Sequence, residues 1–196
     1  MPTANSQNKM KPTNIKPAIG KILISEPGLR DFYFARSVVL LAEHNEEGSF
    51  GIILNKPIDI HFNKIVSDFP KFNGKVYLGG PVSTQNLFYI HTKGDLIENS
   101  LPLGKGYFWG GNIEDIKILL DSKLLDKNSI RFFVGYSGWT ANQLDEELKI
   151  DSWLVAEANY KKLISYKPEE MWKKSLTDLG KDYALWANFP IDPGLN

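Results

Sequence analysis

Apolar residues along this chain fall in short runs separated by Gly, Pro, Asn and charged residues. Two of these runs are apolar at consecutive positions, Val38-Val39-Leu40-Leu41 within residues 37–44 and Ile52-Ile53-Leu54 within residues 49–55. Consecutive rather than alternating apolar positions predict strands covered on both faces. The linking Asn45-Glu46-Glu47-Gly48 ends in a Gly able to take the positive φ of a tight turn. Together they predict a hairpin lying centrally in a sheet, with Gly51 marking a bulge or a close backbone approach. Residues 20–25 predict a first strand, stopped by Glu26-Pro27-Gly28, and further strands are predicted at residues 75–78, 86–91, 106–109, 130–136 and 152–156.

Helical spacing enters between the later strands. Asn112 is placed to cap a helix whose Ile113, Ile116 and Leu120 share one face, with Glu114 and Asp115 at its positive end. Thr140-Ala141-Asn142-Gln143 has the form of a capping box for a second helix, with Leu144 and Leu148 inward. A third helix starts near Pro168, turns Trp172, Leu176 and Leu179 inward and stops at Gly180, and a last short one is predicted over residues 183–187. Mixed strands and helices with an adjacent hairpin indicate an α+β fold rather than a regularly alternating nucleotide-binding sheet.

The chain has 196 residues, 42% of them hydrophobic, which is enough for one sizeable core. Residues 1–17 are polar and read as a disordered tail, leaving residues 18–196 as a single domain. Charge balances at 23 basic and 23 acidic side chains, so no net field draws in a polyanion, which argues against direct nucleic-acid binding. The absence of cysteine excludes disulfides, thiolate nucleophiles and Cys-based zinc sites, and suits a reducing cytoplasm. Apolar runs stay well short of the roughly 20 residues needed to span a bilayer, so no membrane partner is expected.

Gly135-Tyr136-Ser137-Gly138-Trp139 sits where a serine nucleophile elbow would, but its second Gly directly follows the serine and no histidine follows His91. The expectation is a tight strand-to-helix turn at Gly135 and Gly138, with Trp139 anchoring the helix start in the core. His44, His61 and His91 lack a metal-ligand spacing, so no metal site is predicted. His44 reads as a turn-facing hydrogen-bonding residue or as a base, and His91 as a satisfied, partly buried imidazole. Gly79-Gly80 offers either a turn or an anion-binding nest, and Asn55 either an Asx turn or a cleft-facing amide. No glycine pattern supports a nucleotide, and no cofactor is predicted.

Taken in order, Arg36-Ser37-Val38, Glu43-His44, residues 51–57 (Gly-Ile-Ile-Leu-Asn-Lys-Pro), Gly79-Gly80-Pro81-Val82, the string at residues 135–139 and Gln143-Leu144-Asp145-Glu146-Glu147 resemble the YqgE/AlgH family of bacterial proteins. The resemblance implies a bifurcated, largely antiparallel sheet with a small β-barrel portion, surrounded by helices. It also implies a suggested role in transcriptional regulation without an established biochemical activity. In that family alanine often stands at the place of Ser137, and Gly-Gln-Leu-Glu is common where this chain has Asn142-Gln143-Leu144-Asp145.

The distinctive residues are turn-formers and packing aromatics, which favours a non-catalytic cytoplasmic interaction or regulatory protein over an enzyme. The alternative is a small-ligand binder or enzyme with a cleft near His44, Asn55, Gly79, Gly80 and Trp139. Adding Gln143 and Glu147 to these gives the expected contact surface for an unknown protein partner or small ligand.

Overall fold

The computed structural model describes residues 12–189. In chain order they form β1 (Lys21–Ser25), β2 (Val38–Asn45), β3 (Gly48–Ile53), β4 (Pro57–His61), α1 (Phe62–Ile65), β5 (Lys75–Leu78), β6 (Val82–His91), β7 (Leu101–Gly104), β8 (Tyr107–Trp109), α2 (Ile113–Asp121), β9 (Ile130–Thr140), α3 (Gln143–Lys149), β10 (Trp153–Glu157), α4 (Tyr160–Ser165), α5 (Pro168–Asp178) and α6 (Lys181–Ala184). The main path of the sheet runs β10-β1-β2-β3-β9-β6-β8-β7, with β4 and β5 branching from β9. β5 lies parallel to β9, and the other pairings are antiparallel.

The fork is made by β9. Its residues 132–134 pair with β5, while residues 137–140 pair with β3. The neighbour changes at Gly135, whose φ of 70° bends the strand. Here the sequence reading needs correcting: residues 135–139 are not a strand-to-helix turn but the continuation of one strand to Thr140. A fork needs a kink with room above it, and a strand-to-helix turn uses the same glycines, so local sequence does not separate the two.

Apolar positions on the hairpin are buried on both faces, as their consecutive spacing predicts. Ile22, Ile24, Val38, Leu40 and Ile52 face an interior shared with Phe133, Leu154, Met171 and Trp172. Leu23, Val39, Leu41 and Ile53 face outward, under Trp139, Leu144 and Trp153. A further cluster of Phe62, Phe72, Phe132 and Ile116 lies on the branch side beneath α2. Each fully buried side chain of this size contributes about 1.5–3 kcal/mol relative to exposure. Between Leu41 and Glu43 the β2–β3 register slips by one residue, and Gly51 opposite lies so close to β2 that a Cβ would stand 2.8 Å from the Leu40 carbonyl oxygen.

The main path curls back on itself. The Tyr160 hydroxyl lies 3.3 Å from the Gly20 carbonyl oxygen and 3.1 Å from that of Leu103, tying the start of β1 to β7.

Asn112 caps α2, accepting from the Glu114 N–H at 3.0 Å. Pro168 opens α5, which buries Met171, Trp172 and Leu176, and Gly180 follows its end at φ 116°. Only half of the expected capping box forms: Gln143 Oε1 accepts from the Thr140 N–H at 3.0 Å, but Asn142 is the N-cap, in the left-handed region, and makes no capping bond. The sequence reading passed over β4, α1, β7 and α4. β4 and β7 begin at or contain a proline and pair on one side only, as edge strands do. Within the expected tail, Thr13 bonds the Val155 carbonyl and Ile15 packs against the outer cluster, while residues 1–11 lie outside the described residues. Among the described residues no helix is long and apolar enough to cross a membrane.

Candidate functional site

His44, Ser49 and Trp139 stand in one row across β2, β3 and β9, because the registers pair His44 with Ser49 and Ser49 with Trp139. His44 Nδ1 and Ser49 Oγ share a hydrogen bond of 2.8 Å. Trp139 is 6% exposed, and its indole N–H donates to Glu147 Oε2 at 2.8 Å. The Trp153 indole donates to the same oxygen at 2.7 Å, and Gln143 Nε2 donates to Glu147 Oε1 at 2.9 Å. Glu147 therefore holds α3 onto the sheet from one turn beyond Gln143, a spacing that brings the two side chains together on a helix.

The remaining expected site residues lie elsewhere. Asn55 is buried; its Oδ1 accepts from the Val38 N–H at 2.9 Å and its Nδ2 donates to the Arg36 carbonyl at 2.9 Å. It pins the loop entering β2 through these bonds to distant backbone, rather than forming an Asx turn. Val38 and His44 are six positions apart along β2, about 20 Å at roughly 3.3 Å per residue. His44 and Asn55 thus lie at opposite ends of the β2–β3 hairpin.

Gly79 and Gly80 make the crossing at the fork. The Gly79 N–H donates to the Val134 carbonyl at 2.8 Å, and the Gly79 carbonyl accepts from the Ile53 N–H at 2.8 Å and the Ser137 hydroxyl at 3.0 Å. A Cβ on Gly79 would stand 2.2 Å from the Gly135 carbonyl oxygen, and one on Gly80 2.2 Å from the Tyr136 backbone. The pair is a backbone crossing rather than an anion nest, since the Gly79 donor is already used. Ser137 is fully buried with its proton committed to Gly79. His91 is 1% exposed, with Nε2 against the Gly110 carbonyl at 2.9 Å and Nδ1 accepting from the Lys93 N–H at 3.2 Å. Burial lowers its pKa below the ordinary imidazole value, so it stays neutral. Among the described residues no three His, Asp or Glu side chains are grouped to hold a metal ion.

Two concavities flank the hairpin end. One, of about 610 Å³, lies on the outer face between the hairpin and α3 and is lined by His44, Glu46, Ser49, Thr140, Asn142 and Asp145, among others. The other, of about 450 Å³, lies on the inner face, with Glu43, Glu47, Phe50, Val82, Tyr136 and Gly138 in its wall. Neither wall contains a lysine or arginine. Cations are placed elsewhere: Arg36 lies over the Trp172 ring, Arg131 lies over the Tyr77 ring, and Lys56 donates to the Ala35 carbonyl at 2.7 Å. Burial lowers the pKa of all three.

Below the inner concavity four half-buried rings assemble. Phe50 stacks on Tyr136 at 4.4 Å and meets Trp109 at 5.2 Å, while Phe88 meets Trp109 and Tyr136, each at 5.7 Å. Sequence reasoning missed this quartet. The rings come from β3, β6, β8 and β9, and the only sequence signal, an aromatic two positions before Ile52 and Ile90, acquires meaning once the register is known.

A family model described as AlgH-like (DUF179) matches residues 22–184. A UPF0301 protein of Bacteroides thetaiotaomicron is 45% identical over 190 residues, covering 96% of each chain. A second UPF0301 protein, from Cytophaga hutchinsonii, is 42% identical over 178 residues, covering 90% of this chain and 98% of that one. The solution structure of the AlgH protein from Pseudomonas aeruginosa superposes with a TM-score of 0.70 at 27% identity, covering 91% of this chain and 98% of that one. A crystal structure from Corynebacterium diphtheriae shares the fold, with a TM-score of 0.77 at 24% identity and coverage of 92% and 95%. With a family model spanning residues 22–184 and a relative 45% identical over nearly its whole length, the chain belongs to the AlgH-like (UPF0301) family.

Proposed function

We propose that this protein is a non-catalytic interaction protein that takes a basic segment of a protein partner at the end of the β2–β3 hairpin. The observation that carries this reading is the pairing of charge with aromatic surface. Glu43, Glu46, Glu47 and Asp145 line the two concavities without a lysine or arginine, and the inner one reaches Phe50 and Tyr136. Carboxylates beside aromatic faces favour lysine and arginine side chains through charge and cation–π attraction together. The same charges repel phosphate, so a role in transcription would run through protein partners rather than through DNA. The cysteine-free composition supports a cytoplasmic setting.

The test uses a ten-residue Arg/Lys peptide followed by amide NMR of the intact protein. Saturable shifts should centre on residues 43–50 and 136–140, and Glu43→Lys with Glu47→Lys should weaken binding about tenfold or more. Shifts centred elsewhere, or an affinity indifferent to the charge reversal, would refute the reading.

A further inference from the structure

The loop between α1 and β5 is tied down up to Phe72 and free beyond it. Asn63 of α1 holds it, its Nδ2 donating to the carbonyls of Phe69 at 3.1 Å and Pro70 at 3.0 Å while its Oδ1 accepts from the Phe72 N–H at 3.0 Å. Phe72 is buried against the rings of Phe62 and Phe132, at 5.2 Å and 5.0 Å. Asn73 follows and is exposed. Among the described residues, neither its carboxamide nor the Gly74 N–H finds a hydrogen-bond partner. Both residues line a concavity of about 440 Å³ beside β4, shared with Asp59, His61 and Lys75.

Residues 73–74 are the only Asn-Gly pair in the chain. An asparagine carboxamide is open to attack by the amide nitrogen of the next residue, which it carries at close range within one chain. Glycine there leaves the approach unobstructed and the backbone freest to reach it. This fold cannot place another residue at the position without repacking, because a Cβ on Gly74 would stand 2.2 Å from the Phe72 ring. Other asparagines are restrained. At Asn128-Ser129 both reacting groups are held by Asp126, whose Oδ2 accepts from Asn128 Nδ2 at 3.1 Å and whose Oδ1 accepts from the Ser129 N–H at 3.0 Å. Asn112 is engaged as the cap of α2 and precedes a β-branched isoleucine.

From these features we infer that Asn73 is a site of covalent modification, an intramolecular deamidation that turns a neutral amide beside β4 into a carboxylate. The Gly74 nitrogen loses its proton and bonds to Asn73 Cγ; the Cγ–Nδ2 bond breaks, and ammonia leaves with that proton, closing a succinimide. Water then splits one of the two ring C–N bonds. Cleavage at Cγ leaves aspartate, and cleavage at the Asn73 backbone carbonyl leaves isoaspartate, whose chain runs through Cβ and Cγ. Nothing is oxidised or reduced, and water is the one reactant added. The inference is independent of the hairpin reading, because the two sites share no residue.

The test is to incubate the folded full chain at mildly alkaline pH, separate the more acidic form by ion exchange, and map it by mass spectrometry of the Phe72–Lys75 tryptic peptide. Digestion is run at mildly acidic pH so that it adds no conversion of its own. Aspartyl and isoaspartyl peptides are expected, the isoaspartyl in excess, with conversion at Asn73 about tenfold or more faster than at any other asparagine. Asn73→Gln, whose closure needs a six-membered ring, should keep the fold and lose the acidic form. Conversion confined to chain unfolded in urea, a Phe72–Lys75 peptide that keeps its amide, aspartate without isoaspartate, or an unchanged rate in Asn73→Gln would each overturn the assignment.

Discussion

Trp139 donates its indole N–H to Glu147 Oε2 at 2.8 Å, and the oxygen that receives it also receives Trp153 at 2.7 Å. One carboxylate thus ties β9 and β10 to α3, and Phe34 closes the group by packing on both indoles, at 6.2 Å and 5.6 Å. Glu147→Ala strands two mostly buried donors at about 1–3 kcal/mol each. The expected loss is about 2–4 kcal/mol in urea unfolding, with both indole N–H resonances moved. Unmoved resonances and unchanged stability would show that Glu147 is a surface residue only.

At the fork, side chains have no space. Gly135→Ala places a Cβ 2.5 Å from the Gly80 carbonyl oxygen at a φ of 70°, and Gly79→Ala places one 2.2 Å from the Gly135 carbonyl oxygen. Each should cost about 3 kcal/mol or more, because both obstacles are backbone. Ser137→Ala removes one hydrogen bond and should cost about 1 kcal/mol. Circular dichroism melts of the three variants check the ranking, and a mild Gly79→Ala would contradict the crossing.

His91 gives the stability a pH dependence of defined sign. Its pKa is lowered in the folded state, first by burial, so as pH falls the unfolded chain takes up a proton before the folded one does. The stability that neutral His91 confers is therefore full above about pH 6.5, the ordinary imidazole value. It is lost as pH falls from there toward the folded pKa, and levels off below it. Unfolding free energies measured from pH 8 to pH 5 should decline through this window, and less steeply in His91→Gln. Equal slopes would assign the decline to other groups.

His44→Ala and Asn55→Ala should behave differently. Asn55 supplies two buried bonds to the loop entering β2, so its loss should cost about 1–3 kcal/mol. His44 is half-buried with one bond to Ser49, and its loss should cost about 1 kcal/mol or less. Thermal unfolding decides between this order and equal, small effects.

Much of the fold was legible locally. The strand over residues 75–78, the central hairpin with both faces covered, the Asn112 cap and the Pro168 start rest on spacing and turn chemistry within a few residues. Of the expected contact residues, Trp139, Gln143 and Glu147 stand together because helix spacing and one strand end join them. What tertiary structure decided are the relations between distant strands. Whether Gly135 turns into a helix or kinks a strand depends on Gly79 and Gly80 crossing it from 55 and more positions away in sequence. Whether Asn55 faces a cleft or pins a loop depends on β2 lying antiparallel to β3, which carries Val38 to it and His44 away. The ring quartet exists because four strands share one register, and no local pattern encodes a register whose contacts are made only when the chain closes on itself.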